Sequence, residues 1–424
     1  MSEWKEFKIG EICKVRRGAS PRPIHDYLSN IGMPWVKISD ATSETSRYIK
    51  RTAQKILLSG VSKSLKVHPG DFILSNSATP GLPKFMKIEA CIHDGWLLLS
   101  EFNNIDPLFL YYLLIHDRPK LVNKGNGSVF TNLKTEIVLN HKIKIPDLAN
   151  QGSIAEILSS IDDKIELNNK INQELESLAQ LLFKQWFVDF EFPNENGEPY
   201  KSTGGEMVDS ELGEIPKELG LIKIADLKYK LETGTRPKGG VSGITSGVPS
   251  VGAESVKGLG KYDYSKIKFV SEDFASKMKR GSVQGYELLI YKDGGKPGTF
   301  IPHFTIFGEG YPFDRFFINE HVFLLDFFNK DFNSFSYFFF DSFYVKPILE
   351  NNGGKAAIPG INQEDIKNLR IFNPENTLVK NYGIFAQSIV QAILLNCKEN
   401  LQLANLRDTL LPNLISGELK INEN

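Results

Sequence analysis

Residues 152–192 contain no proline, and no glycine after the first position. Ser153 followed by Glu156 has the spacing of a capping box and predicts a helix start. Apolar residues then recur at steps of three and four: Ile154, Ile157, Leu158, Ile161, Ile165, then Ile171, Leu175, Leu178, Leu182 and Trp186. That is a stripe along one side of a helix. Asn168, Asn169 and Asn172 interrupt it, and its phase slips there. At ~1.5 Å per residue, about 38 residues make a rod of roughly 57 Å. A helix this long is rare inside one domain, and its stripe needs a partner.

The rest of the chain supplies one. After Pro374 a second helical stretch runs from about residue 378 to 411, with Val390, Leu394, Cys397, Leu401 and Ala404 in line and Leu403, Leu406 and Leu410 on a neighbouring face. Pro412 is expected to bend or end it, and Gly417 to stop any further turn. Residues 1–150 read as a mixed domain with short strands at 33–38, 70–74 and 141–145, a helix from Pro107 and a turn at Gly125-Asn126-Gly127-Ser128. Residues 151–192 are the spacer helix. Residues 193–219 are polar and aperiodic and read as a linker or long loop. Residues 220–375 form a second domain, dense in aromatics over 316–343, and 376–424 carry the second spacer helix.

The two halves repeat. Gly18, Pro21 and Arg22 match Gly234, Pro237 and Lys238. Gly70, Ile73 and Leu74 match Gly285, Leu288 and Leu289. Gly125, Phe130, Leu133, Ile143 and Pro146 match Gly353, Ile358, Ile361, Ile371 and Pro374, and Leu175, Leu178 and Leu182 match Leu403, Leu406 and Leu410. Four blocks in one order predict domain–helix–domain–helix. The expected class is α+β: two similar mixed domains separated by two long antiparallel helices in a coiled coil, related by a pseudo-two-fold axis.

Charge separates along the same lines. The net formal charge is −1, but residues 152–192 and 193–214 each carry −5, leaving +9 on the rest. Basic domains on an acidic connector suit contact with phosphates. No apolar run of the ~20 residues that a membrane span needs is apparent. The charged start has no signal-peptide core, and Cys13, Cys91 and Cys397 are too far apart for a zinc or CxxC site, so buried thiols in a reducing cytoplasm are expected. The seven histidines are scattered and read as structural. No GxGxxG or P-loop occurs. Asn373-Pro374-Glu375-Asn376 lacks the second proline and aromatic of an amino-methyltransferase motif and reads as a strand end. Lys292-Asp293-Gly294-Gly295-Lys296 reads as a turn after a strand. No convergent catalytic group is legible.

Three segments carry a resemblance: IAEILSSIDDKIE (154–166), LLFKQWF (181–187) and LRDTLLPNLISGE (406–418). With them the chain resembles the DNA-specificity (S) subunits of type I restriction-modification enzymes. The resemblance implies a non-catalytic, cytoplasmic protein with two target recognition domains, each reading one half of a split double-stranded DNA site, and helices that set the gap. It implies two methyltransferase (M) subunits docked on the helices, joined by endonuclease-translocase (R) subunits, with S-adenosylmethionine, ATP and Mg2+ on those partners and no membrane. Docking would use Ile161, Leu175, Leu178, Leu182, Trp186, Leu401, Leu406 and Leu410. By residue type, DNA contacts are expected from Arg16, Arg17, Ser20, Arg22, Asn76, Ser77, Lys84, Asn126 and Ser128 in the first domain, and from Thr235, Arg236, Lys238, Lys292, Lys296 and Lys355 in the second. Tyr48, Tyr262 and Tyr264 would add planar contacts. Two other readings remain open: a coiled-coil assembly scaffold that does not bind DNA, and the specificity subunit of a modification-only methyltransferase.

Overall fold

The computed structural model describes residues 4–43, 46–124, 132–308, 310–354 and 358–419. The expected turn at 125–128 lies outside them. The chain divides into two compact units: unit 1 is Met1–Glu166 with Gln402–Asn424, and unit 2 is Leu167–Leu401.

Unit 1 is built on a five-stranded sheet in the order Lys14–Arg17, Trp96–Ser100, Phe72–Ser75, Pro83–Met86, Tyr48–Ile49, antiparallel except for the last pair. Its two central strands are nearly continuous apolar runs because both faces are covered. Phe72, Leu74, Leu97 and Leu99 point into one core with Phe109 and Leu113 of the helix Pro107–Lys124. Ile73, Trp96 and Leu98 point into a second core with Val36, Val67 and Ile92. The latter come from a second five-stranded sheet, in which Met33–Val36 and Ala90–Ile92 pair in parallel. Lys5–Lys8 and Lys142–Ile145 form a separate antiparallel pair.

Unit 2 has the same plan. An antiparallel sheet runs Lys230–Thr233, Val322–Asp326, Leu288–Tyr291, Phe304–Ile306. Val248–Val251 and Phe317–Ile318 repeat the parallel pair, and Leu221–Lys223 with Arg370–Phe372 repeats the separate pair. The helix Lys330–Phe340 buries Phe332, Phe335, Tyr337, Phe338, Phe339 and Phe340, which accounts for the aromatic density there. One repeat block needs correcting by a residue. Arg17 lies opposite Leu97 and Leu97 opposite Leu74; Thr233 lies opposite Phe323 and Phe323 opposite Ile290. Leu74 therefore matches Ile290, not Leu289. Gly70 (φ 95°) matches Tyr286 (φ 71°), so a left-handed corner survives without glycine.

The segment expected as a linker is ordered chain with a hairpin, Met207–Ser210 with Gly213–Pro216. Phe192, Ile215 and Leu219 bury in the core of unit 2.

The central helix is Leu148–Phe187 and the C-terminal helix Thr377–Ser416. Each gives a stretch to each unit. The central helix starts earlier than predicted: Asp147 Oδ1 accepts the Asn150 N–H at 3.0 Å, and Ser153 lies inside the helix, bonding back to the Ala149 carbonyl. Asn376, just past the end of the strand Arg370–Phe372, caps the second helix through the Leu378 N–H at 2.8 Å. Pro412 does not end that helix, which stops at Gly417 (φ 77°).

In unit 1 Ile154, Ala155 and Leu158 share a core with Leu411, Leu414 and Ile415, and the Arg407 guanidinium donates to Asp162 at 2.7 Å. In unit 2 the interrupting asparagines reach across. Asn168 Nδ2 donates to Glu399 (2.7 Å) and Asn400 (2.9 Å), Asn396 Nδ2 to Asn172 (2.8 Å), and Asn400 Nδ2 to Asn169 (3.0 Å). Further along, the Tyr382 hydroxyl donates to the Ala179 carbonyl. The helices are thus antiparallel in both units, and the segments near 170 and 400 are direct partners.

Beyond the slip the buried stripe is Ala179, Phe183 and Phe187, with Leu175, Leu182 and Trp186 at its margin. Leu178 is 51% exposed and leaves the predicted seam, while Leu406, expected on the neighbouring face, is 48% exposed. The C-terminal helix also corrects the hydropathy reading. One 18-residue window of it, with mean hydropathy 1.3, is apolar enough for a membrane span. Its Val379, Tyr382, Ala386, Val390, Ile393 and Leu394 go into the core of unit 2.

Phe183→Ala should cost about 3–5 kcal/mol, whereas Leu178→Ala should stay within about 0.5 kcal/mol. Urea unfolding of the two variants checks which face is buried.

Candidate nucleic-acid interface

The glycines that open the two matched loops are fixed by close packing. A Cβ on Gly18 would sit 2.1 Å from the His93 carbonyl oxygen, and one on Gly234 1.6 Å from that of Ile318. Only glycine lets each loop leave its strand, Lys14–Arg17 or Lys230–Thr233, so close to the neighbouring chain.

In unit 1 the loop converges on Asp94, which stands three residues before Leu97. The Ser20 hydroxyl donates to Asp94 Oδ1 at 2.5 Å, the Arg22 guanidinium lies 3.4 Å from Oδ2, and Arg17 Nε donates to the Asp94 carbonyl at 3.0 Å. Asn76 Nδ2 donates to the same carbonyl at 3.1 Å. The Ser20 hydroxyl, with Arg22 behind it, holds the Asp94 carboxyl below the ordinary carboxylate range against partial burial. Burial holds the neighbouring His93 below its usual value, and its Nδ1 accepts the Gly95 N–H.

Unit 2 builds the same junction from different side chains. Glu320 stands three residues before Phe323, the position Asp94 holds in unit 1. Arg236, the counterpart of Ser20, pairs with Glu320 at 2.7 Å. Lys292, the counterpart of Asn76, donates to the Glu320 carbonyl at 3.1 Å. Here His321 also lies between Asp293 (2.5 Å) and Glu320 (3.2 Å). Thr233, Thr235, Arg236, Lys238, Arg280 and Glu320 line an open cleft of about 540 Å3. It is cationic with one acid at its base, a setting for polyanions with a hydrogen-bond acceptor among the donors.

The expected contact residues divide accordingly. Arg16, Arg17, Arg22, Arg236, Lys238 and Lys296 are exposed, and Ser20, Ser77, Thr235 and Lys292 are half-buried. Lys84 is a correction: it is 4% exposed, on a strand inside the sheet, and donates to the Ser46 carbonyl. Asn76 is another, since at 5% exposure it braces the Asp94 loop instead of facing outward. Tyr262 and Tyr264 pack on each other and on Phe313, and burial pushes the Tyr262 hydroxyl up to about 12. Tyr48 is half-buried, with the Lys87 ammonium over its ring. Asn126, Ser128 and Lys355 lie outside the described residues. Asp94, Glu320, Arg280 and His321 were not found from sequence. The usable signal was an acid three residues before the matched strand position in each half, but identity is lost there, Asp facing Glu.

The family described as "Type I restriction modification DNA specificity domain" matches residues 1–177. The type I restriction enzyme MjaIX specificity subunit of Methanocaldococcus jannaschii is 27% identical over 99% of this chain and 94% of its own length. The HindI specificity subunit of Haemophilus influenzae is 31% identical over 45% of this chain and 42% of its own length. Among solved structures, the type I restriction-modification S subunit from M. genitalium superposes with a TM-score of 0.55 at 14% identity, covering 97% of this chain and 96% of that one. That last likeness is one of fold.

Because the Asp94 carboxyl is held low, the stability it contributes is fully present above the ordinary carboxylate range and is lost as pH falls through its depressed value. Asp94→Asn should therefore flatten the acid limb of the thermal midpoint plotted against pH, as read by circular dichroism, while leaving the midpoint's trend near neutrality unchanged.

Proposed function

We propose that this chain is a specificity subunit of a type I restriction-modification enzyme and that it reads a two-part, asymmetric target on double-stranded DNA, one unit to each half-site. The observation that carries this is the pair of matched junctions. One backbone plan is kept in both units, while the exposed and bracing side chains differ: Ser20 against Arg236, Arg22 against Lys238, Asn76 against Lys292. Two readers of one design with different donors suit two different half-sites.

In this reading the two 40-residue helices set the gap between half-sites. Support comes from their fixed register, held by the asparagine ladder and by Arg407 on Asp162. The methyltransferase subunits dock on the helix surface. Leu167, Ile171, Leu178 and Leu181 form an exposed apolar row along the central helix, each between 38% and 66% exposed, and such a row favours a protein partner. The endonuclease-translocase subunits join through that assembly. The partners bind S-adenosylmethionine, ATP and Mg2+ and perform the covalent steps, so this chain acts by recognition and not by catalysis.

If six to ten phosphates are neutralised, log K against log salt falls with a slope of about −5 to −9. Filter binding at several salt concentrations measures this, and a flat line refutes DNA binding. Arg22→Ala should weaken the first half-site alone, by roughly 1–3 kcal/mol if the contact is to a base. Removing one helical turn from both long helices should change the spacer length found by single-molecule sequencing of methylated host DNA. An unchanged spacer refutes the role of the helices.

A further inference from the structure

We propose that Asp94 and Glu320 are positioning residues for base reading, each setting the reach of the basic loop in its own unit. The inference rests on the DNA-reading function above and goes further by naming what fixes its specificity.

Three observations carry it. First, the two acids occupy one position in the repeat, although the residues around them differ. Second, each is held twice in the same way. A side chain from the strand end two residues past Leu74 or Ile290 donates to the acid's carbonyl, and the third residue past Arg17 or Thr233 donates to its carboxylate. Third, the acids are set among groups that favour phosphate, where an uncompensated carboxylate would repel DNA. Arg17 and Arg22 surround Asp94, and Arg236, Lys238 and Arg280 share the cleft with Glu320. A residue kept only to strengthen binding would not be an acid in that place. Glu320 Oε1 takes both Arg236 and His321, and Oε2 is buried with no hydrogen-bond partner among the described residues.

A guanidinium pinned by a carboxylate on one edge presents its other N–H groups in a fixed direction. Two parallel bonds to guanine O6 and N7 need such a direction, and a freely rotating cation does not provide it. The acid therefore exchanges non-specific attraction for discrimination. Arg22 is the guanine reader in unit 1 and Arg236 in unit 2.

The test uses the full chain with the methyltransferase subunits that co-purify with it, and duplexes selected from a randomised pool and sequenced. Asp94→Asn should flatten base preference at a G·C position in the first half-site only, by roughly 5- to 150-fold. Glu320→Gln should do so in the second half-site only. Affinity for random duplex should hold or rise in both, since one negative charge leaves the DNA-facing surface. Asp94→Glu and Glu320→Asp should restore the preference. Arg236→Lys, which keeps the charge and loses the planar fork, should reproduce the motif of Glu320→Gln even if the latter folds poorly. Unchanged half-site preferences in the two amide variants overturn the proposal. So does equal loss on specific and random DNA, which would mark a purely structural brace. A wild-type chain that selects no motif removes the DNA-reading function, and this inference falls with it.

Discussion

Two long helices with apolar seams can slide by a turn and still bury much the same area, so greasy contact alone leaves their register open. The asparagine ladder closes that freedom. Asn168, Asn169 and Asn172 bond Glu399, Asn400 and Asn396, and a shift of one turn would break these bonds and leave the buried Asn168 amide without its partners. The ladder gives up apolar contact for a single alignment, the best-attested use of buried polar groups in coiled coils. In unit 1 the same task falls to a charged group: Asp162 receives Arg407 and the Tyr112 hydroxyl, while Arg47 pairs with Asp163. Everything that gives the helices a defined role depends on this alignment.

The repeat shows which parts of each unit are constrained by backbone geometry and which are free. The order of four sheet strands, the close-packed Gly18 and Gly234, and the acid three residues before Leu97 or Phe323 are common to both units. The donors that meet the acid are not. Serine, arginine, asparagine and lysine exchange at matched places because the partner is a carboxylate or a carbonyl, which accepts from any of them. Chemistry at the surface has thus diverged while hydrogen-bond polarity has been kept.

Much of this was legible in the residues. The long helix, its partner and the order of parts follow from 3.6-residue periodicity and from repeated blocks, which survive because they encode buried faces. The phase slip at Asn168 marked the ladder, but its meaning depended on Asn396 and Asn400, far away in sequence. The one misplaced leucine has a definite cause. Leu178 continues an apolar period that turns outward after the slip, while Ala179, small enough for the close approach of Tyr382, takes the buried place. Lys84 failed for another reason: a lysine in a strand reads as exposed unless a carbonyl such as that of Ser46 is known to await it. Asp94 and Glu320 escaped because charge sign, not identity, is what the repeat conserves there.

The division of the helices between units also bears on how the polypeptide assembles during synthesis. The core of unit 1 includes Leu411, Leu414 and Ile415, whereas its other members all precede residue 167. A ribosome makes the whole of unit 2 between those two contributions. The nascent first unit must therefore wait with an apolar trough along residues 154–158 uncovered, so the earliest-made part of the molecule is among the last to close, and the interval is one in which chaperones or a premature partner compete for the same groove.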